Sequence, residues 1–260
     1  MPRVLATYLD TARRAALEAG ALIREHLHRK VLSRAKGHLD VVTEIDTRSE
    51  EIIRHRLLGD FPEHAFLGEE GGAIDKAGAP LWIVDPLDGT KNFIHGYPFV
   101  GVSIALEIEG QVRLAVVLDP MRDELFHAVR GGGAYLNGEQ LQVSDTPNLE
   151  QSLLVTGFYG NTREFVELFH AVQERVQGVR RDGAATLDLC YVACGRFDAY
   201  WDLKLQPWDL AAGSLIIEEA GGMCTDLAGR PLDIRKPGVL CSNVRIHRQL
   251  LDLIGAYLAV

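Results

Sequence analysis

The sequence has no hydrophobic run long enough to span a membrane, and cysteine is scarce. Met1 to Val4 open the chain without the apolar core of a signal peptide, so we expect a cytoplasmic protein with no membrane partner. The four cysteines stand late in the chain without the paired spacing of a zinc site. That pattern favours free thiols in a reducing compartment. These cysteines are Cys190, Cys194, Cys224 and Cys241.

Positive charge is also in short supply. The 27 Lys and Arg residues against 36 Asp and Glu residues give a formal net charge of −9, with no long basic run. This balance argues against direct nucleic-acid binding, and it means that a phosphate ligand would need a local positive focus. The sequence also lacks repeats, low-complexity segments and an obvious linker. Its 260 residues can therefore form one large core or two closely packed halves.

The most informative segment runs from Leu81 to Phe93. The apolar run Leu81 to Val84 predicts a short buried strand that ends at Asp85. Pro86 has a fixed φ and no N–H, and it favours an extended conformation for the residue before it. Asp88 follows two residues later. A second acid at this spacing is consistent either with an acidic strand-to-helix turn or with a cation site.

A helix is predicted to follow directly. Asp88 or Thr90 could provide its N-cap, and Gly89 would let a ligand approach the backbone closely. Free N–H groups at a helix start suit an anion such as phosphate. Two carboxylates beside an anion site are compatible only if a cation lies between them, which favours the cation site.

The residues before this segment predict two helices and two strands. Apolar residues from Leu5 to Leu27 recur at helical spacing, and residues 36–46 indicate a turn and a short strand. Asp46 or Thr47 is predicted to cap a second helix that ends at Gly59, since Thr47 and Glu50 fit a capping box. Residues 65–72 then indicate a strand that runs into glycines, with two acids, Glu69 and Glu70, at its tip.

The rest of the chain divides into two patterns. A strand meander covers 100–136, with a tight turn at 109–110, and strands and helices alternate after it. We predict strands at 153–156 and 198–202, and helices at 164–176, 185–193 and from Trp208 to the glycine pair at 221–222. The fold class is therefore α/β, with an α+β half at 1–145 and an α/β half at 146–260.

Three motifs together resemble the inositol monophosphatase family. They are Glu69-Glu70, the run from Asp85 to Phe93, and Trp208 to Gly213 followed by Glu219 to Gly222. The resemblance spans residues 36–222, and it implies a layered αβαβα sandwich and a homodimer. It also implies a Mg²⁺-dependent, Li⁺-inhibited phosphomonoesterase. One departure is mild: Leu87 stands where the family usually has Ile, and only its carbonyl is expected to bind metal.

The resemblance assigns roles to individual residues. One Mg²⁺ would be held by Glu69, Asp85 and the Leu87 carbonyl, and a second by Asp85, Asp88 and Asp209. A third, more weakly bound ion would have Glu69 as its protein ligand. These hard oxygen ligands suit Mg²⁺, and cations would relieve the repulsion among the carboxylates.

Other residues would act on the phosphate and the attacking water. By the same resemblance, the N–H groups of Gly89 and Thr90 would cradle the phosphate. Thr90 and Asp46 would orient and deprotonate the water. Lys36 would attract phosphate and tune the nearby acids. For Asp46, a structural role as helix cap is an alternative.

Substrate choice is less well defined by the sequence. Family members that prefer inositol phosphate hold the ring through a Gly-Thr-Ala-like segment and a Glu. Here these positions are Gly183-Ala184-Ala185, which lacks the hydroxyl, and Asp202, which is one methylene shorter. Inositol-1-phosphate is the predicted substrate. The alternatives are a broad phosphatase for other sugar phosphates or nucleotides (fructose-1,6-bisphosphate, histidinol phosphate, NADP), and a family member that binds the transcription machinery with dispensable catalysis.

Overall fold

A computed structural model describes residues 3–37, 40–157 and 163–257 of the chain. The first half of the described chain carries two long helices and then most of the strands. Its elements up to residue 94 are α1 (Arg3–His26), β1 (Ser33–Gly37), β2 (Asp40–Thr43), α2 (Glu44–Asp60), β3 (Ala65–Gly68), β4 (Gly72–Ile74), β5 (Leu81–Asp88) and α3 (Thr90–Ile94). The meander that follows consists of β6 (Gly101–Ile108), β7 (Gln111–Asp119), β8 (Glu124–Val129), β9 (Ala134–Leu136) and β10 (Glu139–Gln140).

The second half alternates strands and helices. A short 3₁₀ helix, Leu149–Gln151, precedes it. Its elements are β11 (Leu153–Thr156), α4 (Arg163–Gln173), β12 (Gly178–Arg180), α5 (Ala185–Ala193), β13 (Ala199–Asp202), α6 (Pro207–Glu219), β14 (Met223–Thr225), β15 (Val239–Ser242) and α7 (Val244–Gly255).

These elements stack in five layers. Helices α1 and α2 cover one face of an eight-stranded sheet whose order is β10-β9-β8-β7-β6-β5-β3-β4. Helices α5 and α6 lie between this sheet and a five-stranded sheet of order β12-β11-β13-β15-β14. Helices α4 and α7 cover the outer face of the smaller sheet. The predicted αβαβα sandwich is confirmed. No helix in the described part of the chain is both long enough and apolar enough to cross a membrane.

The predicted elements form, with some shifted ends. Helix α5 and strand β11 have the predicted bounds, and the β6–β7 hairpin turns at Glu109-Gly110 as expected. Helix α4 is shorter than predicted and ends at Gln173. Strands β4, β10, β12, β14 and β15 and helix α7 were not predicted, because they are short or carry no distinctive motif.

Strand β5 continues beyond the predicted end and carries both acids of the central motif. Most of the strand is buried, since helices cover both faces of the sheet. Asp85 pairs with Ser103 and Asp88 with Gly101, so three residue steps on β5 oppose two on β6. This bulge falls at Pro86, which has no N–H to contribute to the ladder. The bulge brings Asp85 and Asp88 to the same end of the sheet.

In neither α2 nor α3 does a predicted residue occupy the N-cap position. The N-cap of α2 is Thr43, whose hydroxyl accepts from the Ile45 and Asp46 N–H groups. Thr47 lies inside the helix and is exposed. The N-cap of α3 is Gly89, at a left-handed φ of 88°, without a side-chain cap. With five residues, α3 has a negligible dipole, so any attraction for phosphate comes from individual N–H groups.

Candidate active site

Most residues singled out in the sequence line one cavity between the two halves of the chain. The lining includes residues from β5, from the start of α5, from β13 and from α6. The predicted site residues among them are Glu69, Asp85, Leu87, Asp88, Gly89, Thr90, Gly183, Ala184, Ala185, Asp202 and Asp209. The two remaining predicted residues bond directly to this set: Lys36 contacts Glu69, and Asp46 contacts Thr90.

The acids of β5 are held by short-range and long-range hydrogen bonds. Oδ1 of Asp85 accepts from the Leu87 N–H at 3.1 Å. Oδ2 of Asp88 accepts from both the N–H and the hydroxyl of Thr186 at 2.7 Å each. Thr186 lies at the start of α5, where the N-cap Ala184 has no oxygen in its side chain. Asp88 therefore caps α5 from the other half of the molecule.

Asp209 enters the cavity from the first turn of α6. Pro207 occupies the first position of this helix, where a missing N–H costs no hydrogen bond. The Ser103 hydroxyl of β6 donates to the Trp208 carbonyl at 3.2 Å, which ties the helix start to the large sheet. Oδ2 of Asp209 accepts from the Gln206 N–H at 2.8 Å. The acid is thus fixed close to those of β5.

Glu69 and Glu70 follow β3, and Lys36 bridges them. The ammonium of Lys36 donates to Glu69 at 3.2 Å and also to Glu70. Buried Glu50 of α2 accepts from the Glu70 N–H at 2.8 Å. A Cβ on Gly68 would lie 2.3 Å from the Glu50 carboxylate, so this close approach requires glycine. The predicted capping-box residue Glu50 instead positions the acidic tip of β3.

Thr90 and Asp46 form the predicted pair. The Thr90 hydroxyl donates to Oδ1 of Asp46 at 2.7 Å, and it also lies 3.2 Å from the Leu87 carbonyl. Oδ2 of Asp46 accepts from the N–H and the hydroxyl of Thr43, which completes the capping box of α2. The two readings of Asp46 are therefore compatible, since one oxygen serves the helix and the other faces Thr90.

The cavity accumulates negative charge that the protein alone does not neutralise. Burial first, and then the charges of Glu69, Asp88 and Asp209, raise the pKa of Asp85 well above its usual value. Burial and the charge of Asp88 do the same for Asp209. Burial raises the pKa of Asp88 to about 6, although the Thr186 bonds act in the opposite direction. These acids resist ionising together unless a cation joins them.

The pKa values of the neighbouring acids are raised as well. Burial raises the pKa of Glu69, and the Lys36 charge offsets it only in part. Burial also raises the pKa of Glu70 to about 7. The pKa of Asp46 is raised by burial against its bonds to Thr43 and Thr90. Burial would lower the pKa of Lys36, but its bonds to Glu70 and Glu69 outweigh burial and leave that pKa raised.

The donor set fits a hard divalent cation. The cavity offers four carboxylates and the region of the Leu87 carbonyl, all of them oxygen ligands. In the described part of the chain, no three His, Cys, Asp or Glu side chains are already gathered around one point. Each of the four acids instead accepts a hydrogen bond from a different donor. These donors are Lys36 for Glu69, the Leu87 N–H for Asp85, Thr186 for Asp88 and the Gln206 N–H for Asp209.

The far side of the cavity is formed by β13 and α5. Oδ2 of Asp202 accepts from the Tyr200 hydroxyl at 3.0 Å, and Oδ1 accepts from the Lys204 N–H at 2.8 Å. Burial raises the pKa of Asp202 to about 6. Asp188 of α5 also lines the cavity and was not singled out in the sequence. An acid between Leu187 and Leu189, on a helix of apolar residues, was the signal that could have identified it.

Residues 5–259 match the sequence profile of the inositol monophosphatase family. The chain belongs to that family. It is a family of phosphatases that generally depend on a metal, in keeping with the four carboxylates in the cavity.

The chain resembles relatives of two different names over most of its length. It is 44% identical over 261 residues to a Nus factor SuhB from Pseudomonas aeruginosa, with 96% of each chain covered. It is 46% identical over 225 residues to an inositol-1-monophosphatase from Rhizobium meliloti, with 84% of each covered. The crystal structure of the extragenic suppressor protein SuhB from Bartonella henselae superimposes with a TM-score of 0.92 at 38% identity. That alignment covers 94% of this chain and 97% of the other.

Proposed function

We propose that the protein is a Mg²⁺-dependent phosphomonoesterase that hydrolyses inositol-1-phosphate to inositol and phosphate. The observation that carries the proposal is the convergence of Glu69, Asp85, Asp88 and Asp209 on one cavity beside the Thr90–Asp46 pair. A merely structural acid cluster would gain nothing from burying charges that raise one another's pKa.

The proposed cation ligands are divided between two principal ions. Glu69, Asp85 and the Leu87 carbonyl would hold one Mg²⁺, and Asp85, Asp88 and Asp209 the second. A third ion would depend on Glu69. When bound, such ions supply positive charge to the phosphate oxygens and the leaving group, and they lower the pKa of water.

The chain's own residues prepare the attacking water. The Thr90 hydroxyl donates its one hydrogen to Asp46, which leaves its oxygen able to accept a hydrogen bond from water. Asp46 lies at the end of this relay and would receive the proton. Its raised pKa favours holding a proton more than an exposed aspartate would. The N–H groups of Gly89 and Thr90 are proposed to orient the phosphate, and Lys36 to draw it toward the cavity.

Two observations support inositol-1-phosphate as the substrate. A relative 46% identical to this chain is named inositol-1-monophosphatase. Asp202 lines the cavity, at the position where the resemblance to the family implies a ring-binding acid. Gly183, Ala184 and Ala185 would contact the ring from the other side. Sensitivity to Li⁺ and a homodimeric state are further parts of the proposal. A broad sugar-phosphate or nucleotide phosphatase is the alternative within the same chemistry.

A second candidate function is binding to the transcription machinery. Its support is the 44% identity to a protein named as a Nus factor, over nearly the whole chain. The two functions can be separated with a variant that lacks cation binding. Recovery of polymerase subunits from host lysate by Asp88→Asn, with or without Mg²⁺, would favour a binding role independent of catalysis.

The decisive experiment is a phosphate-release screen. The protein would be incubated with inositol-1-phosphate, fructose-1,6-bisphosphate, histidinol phosphate, NADP and an aryl phosphate, in Mg²⁺ and in EDTA. We expect release in Mg²⁺ that is highest for inositol-1-phosphate and is lost in EDTA. Release that is equal in both buffers, or absent from every substrate, would contradict the proposal.

A further inference from the structure

Cys224 and Cys241 face each other across two neighbouring strands of the smaller sheet. Cys224 of β14 and Cys241 of β15 are direct partners in the antiparallel register. Directly opposed residues of an antiparallel pair project from the same face of the sheet. Both side chains belong to the apolar cluster between the two sheets. Sγ of Cys224 lies 3.9 Å from the Ser214 carbonyl of α6, so the shared face is the one that packs on this helix.

The separation of the two cysteines suits a disulfide bond. Opposed residues of an antiparallel pair have Cα atoms about 4.5–5.5 Å apart, and disulfides join Cα atoms about 4.4–6.8 Å apart. Both cysteines are free, and their thiols are close enough to hydrogen-bond each other. A bond between the two sulfurs therefore requires little movement of the strands.

A second cavity gives access to this pair from the side of Cys224. It has a volume of about 590 Å³, and Cys224 lines it together with Ser214 and Glu218 of α6. Among the described residues, none lines both this cavity and the one that holds the carboxylates. Cys224 is 8% exposed and lies on an edge strand, whereas Cys241 is fully buried. A small oxidant such as a peroxide therefore reaches Cys224 first.

Burial makes the reaction of this thiol slow. Burial, and then the hydrogen bond and charge of Cys241, raise the pKa of Cys224 well above its usual value. Because the thiolate is the reactive form, oxidation is slow at neutral pH and faster in alkaline buffer. The pair therefore responds to sustained exposure to an oxidant and not to a brief pulse.

We propose that Cys224 and Cys241 form a modification site at which a peroxide converts two thiols into a disulfide. The peroxide oxidises the Cys224 thiol to a sulfenic acid, and one water is released. The Cys241 thiol then attacks that sulfur, a second water leaves and the disulfide forms. In total, the two thiols lose two hydrogens with their electrons, and one hydrogen peroxide becomes two waters. A thiol reductant reverses the change.

The disulfide stabilises the edge of the smaller sheet. It closes residues 225–240 into a loop, which reduces the conformational freedom of the unfolded chain. The same loop carries Arg235, whose guanidinium bonds Glu107 of the large sheet at 2.8 and 2.9 Å. Oxidation therefore restrains a segment that connects the two sheets. This inference is independent of the proposed phosphatase function.

The test maps disulfides in the folded wild type after treatment with hydrogen peroxide in alkaline buffer. Remaining thiols are alkylated in denaturant, and the protein is digested with trypsin, which does not cut before proline. Cys224 then lies in peptide 205–235, Cys241 in 236–245, and the other two cysteines together in 182–196. We expect peptides 205–235 and 236–245 to be joined. Complete sulfoxide formation at the neighbouring Met223, which is 40% exposed, sets the end of the treatment.

Thermal melting measures the effect of the bond. The Tm of the oxidised wild type should exceed that of the reduced protein by several degrees, and dithiothreitol should return it to the starting value. Dithiothreitol leaves the sulfoxide of Met223 in place, so the reversible part belongs to the disulfide. Cys241→Ala should show no reversible change. Cys194→Ala, which removes a partly exposed thiol outside the pair, should behave as the wild type.

The peptide map needs no variant, so it decides even if Cys241→Ala does not fold. Cys224 and Cys241 both alkylated on separate peptides, after Met223 is fully oxidised, would overturn the inference. A sulfinic acid at Cys224 beside an alkylated Cys241 would overturn it too, because the second thiol would then not have attacked. Joined peptides with an unchanged or lower Tm would overturn the stabilising role. None of these readouts depends on phosphate release.

Discussion

Asp88 and Thr186 join the two halves of the molecule: Oδ2 of Asp88 accepts the N–H and the hydroxyl of Thr186, both at 2.7 Å, across 98 residues of sequence. The hydroxyl occupies space left by Gly101, where an added Cβ would lie 2.8 Å from it. Gly101 is also the β6 partner of Asp88. A proposed cation ligand is therefore oriented by a helix start, a hydroxyl and a glycine that leaves room for both.

Removing the Thr186 hydroxyl should loosen this arrangement. In Thr186→Val the backbone N–H still bonds Asp88, but the second bond is lost. We expect Mg²⁺ affinity, measured by calorimetric titration, to fall by about tenfold, within the range for residues that orient metal ligands. Thr186→Ser keeps the hydroxyl and should restore the affinity. Equal affinities in all three proteins would mean that Asp88 needs no such orientation.

Asp46 should contribute to both catalysis and helix stability. Asp46→Asn should lower kcat by about 10²–10⁴, the usual range for lost acid–base assistance, and Thr90→Ala should do likewise. The change at Asp46 also disturbs the capping box of α2, at a cost of roughly 0.5–2 kcal/mol. Thr43→Ala weakens the same cap and removes one hydrogen bond from Oδ2 of Asp46, but it keeps the acid and its bond to Thr90, so its kcat should fall far less than that of Asp46→Asn. If Asp46→Asn matches Thr43→Ala in both kcat and Tm, Asp46 is only a helix cap.

Repulsion among the buried acids should lower the stability of the metal-free protein. Asp88→Asn removes one charge and retains an oxygen that can accept from Thr186. We therefore expect it to melt above the wild type in EDTA, and to be inactive. Asp88→Ala removes the charge and the cap together, so it should melt below Asp88→Asn. The wild type should gain about 2.7 kcal/mol from one Mg²⁺ site at a hundredfold excess over Kd, and Asp88→Asn should gain less.

Acid should destabilise the protein through His247. Burial lowers the pKa of His247 to about 4, and its two ring nitrogens lie 2.7 Å from Ser242 Oγ and 3.0 Å from Thr225 Oγ1. Since an unfolded histidine titrates near 6.5, the unfolded chain binds the extra proton between about pH 6.5 and pH 4. This contribution to stability is present above pH 6.5 and is lost as the pH falls toward 4.

In part of this pH range, the buried acids change the stability in the opposite direction. Asp88 and Asp202, with pKa values raised to about 6, keep their protons in the folded state, so they favour folding as the pH falls from about 6 to 4. Comparing variants separates the contribution of His247 from that of the acids. From pH 7 to 4.5 in EDTA, the Tm of His247→Gln should fall less than that of the wild type. His55→Gln, at an exposed position, should follow the wild type; parallel curves for all three would contradict the prediction.

The sequence was most predictive where chemistry and local structure coincide. The acids of β5 stand out because Pro86 interrupts an apolar strand, and Asp209 because it opens a helix directly after a proline and a tryptophan. The α2 cap was missed because two threonines, Thr43 and Thr47, each precede an acid by three residues. Only tertiary packing distinguishes them, since Glu50 is withdrawn from the cap to bind the Glu70 N–H.

Contacts between the two halves could not be predicted from local sequence patterns. Nothing near Thr186 in the sequence indicates that Asp88 will cap its helix, because the pairing depends on how two sheets pack around α5 and α6. The pairing of Cys224 with Cys241 likewise depends on the register of β14 and β15, neither of which was predicted. Motif order therefore predicted the family and the acids, whereas the residues that orient them required the structure.

The most direct test of the central claim is phosphate release from inositol-1-phosphate by one preparation, first in EDTA and then after excess Mg²⁺ is added. We expect no release above background in EDTA and full restoration by Mg²⁺, with Asp88→Asn inactive in both conditions. Ca²⁺ should substitute poorly because its shell is larger and looser. Hydrolysis that continues undiminished in EDTA, or full activity of Asp88→Asn in Mg²⁺, would contradict the claim that the four carboxylates form the catalytic cation site.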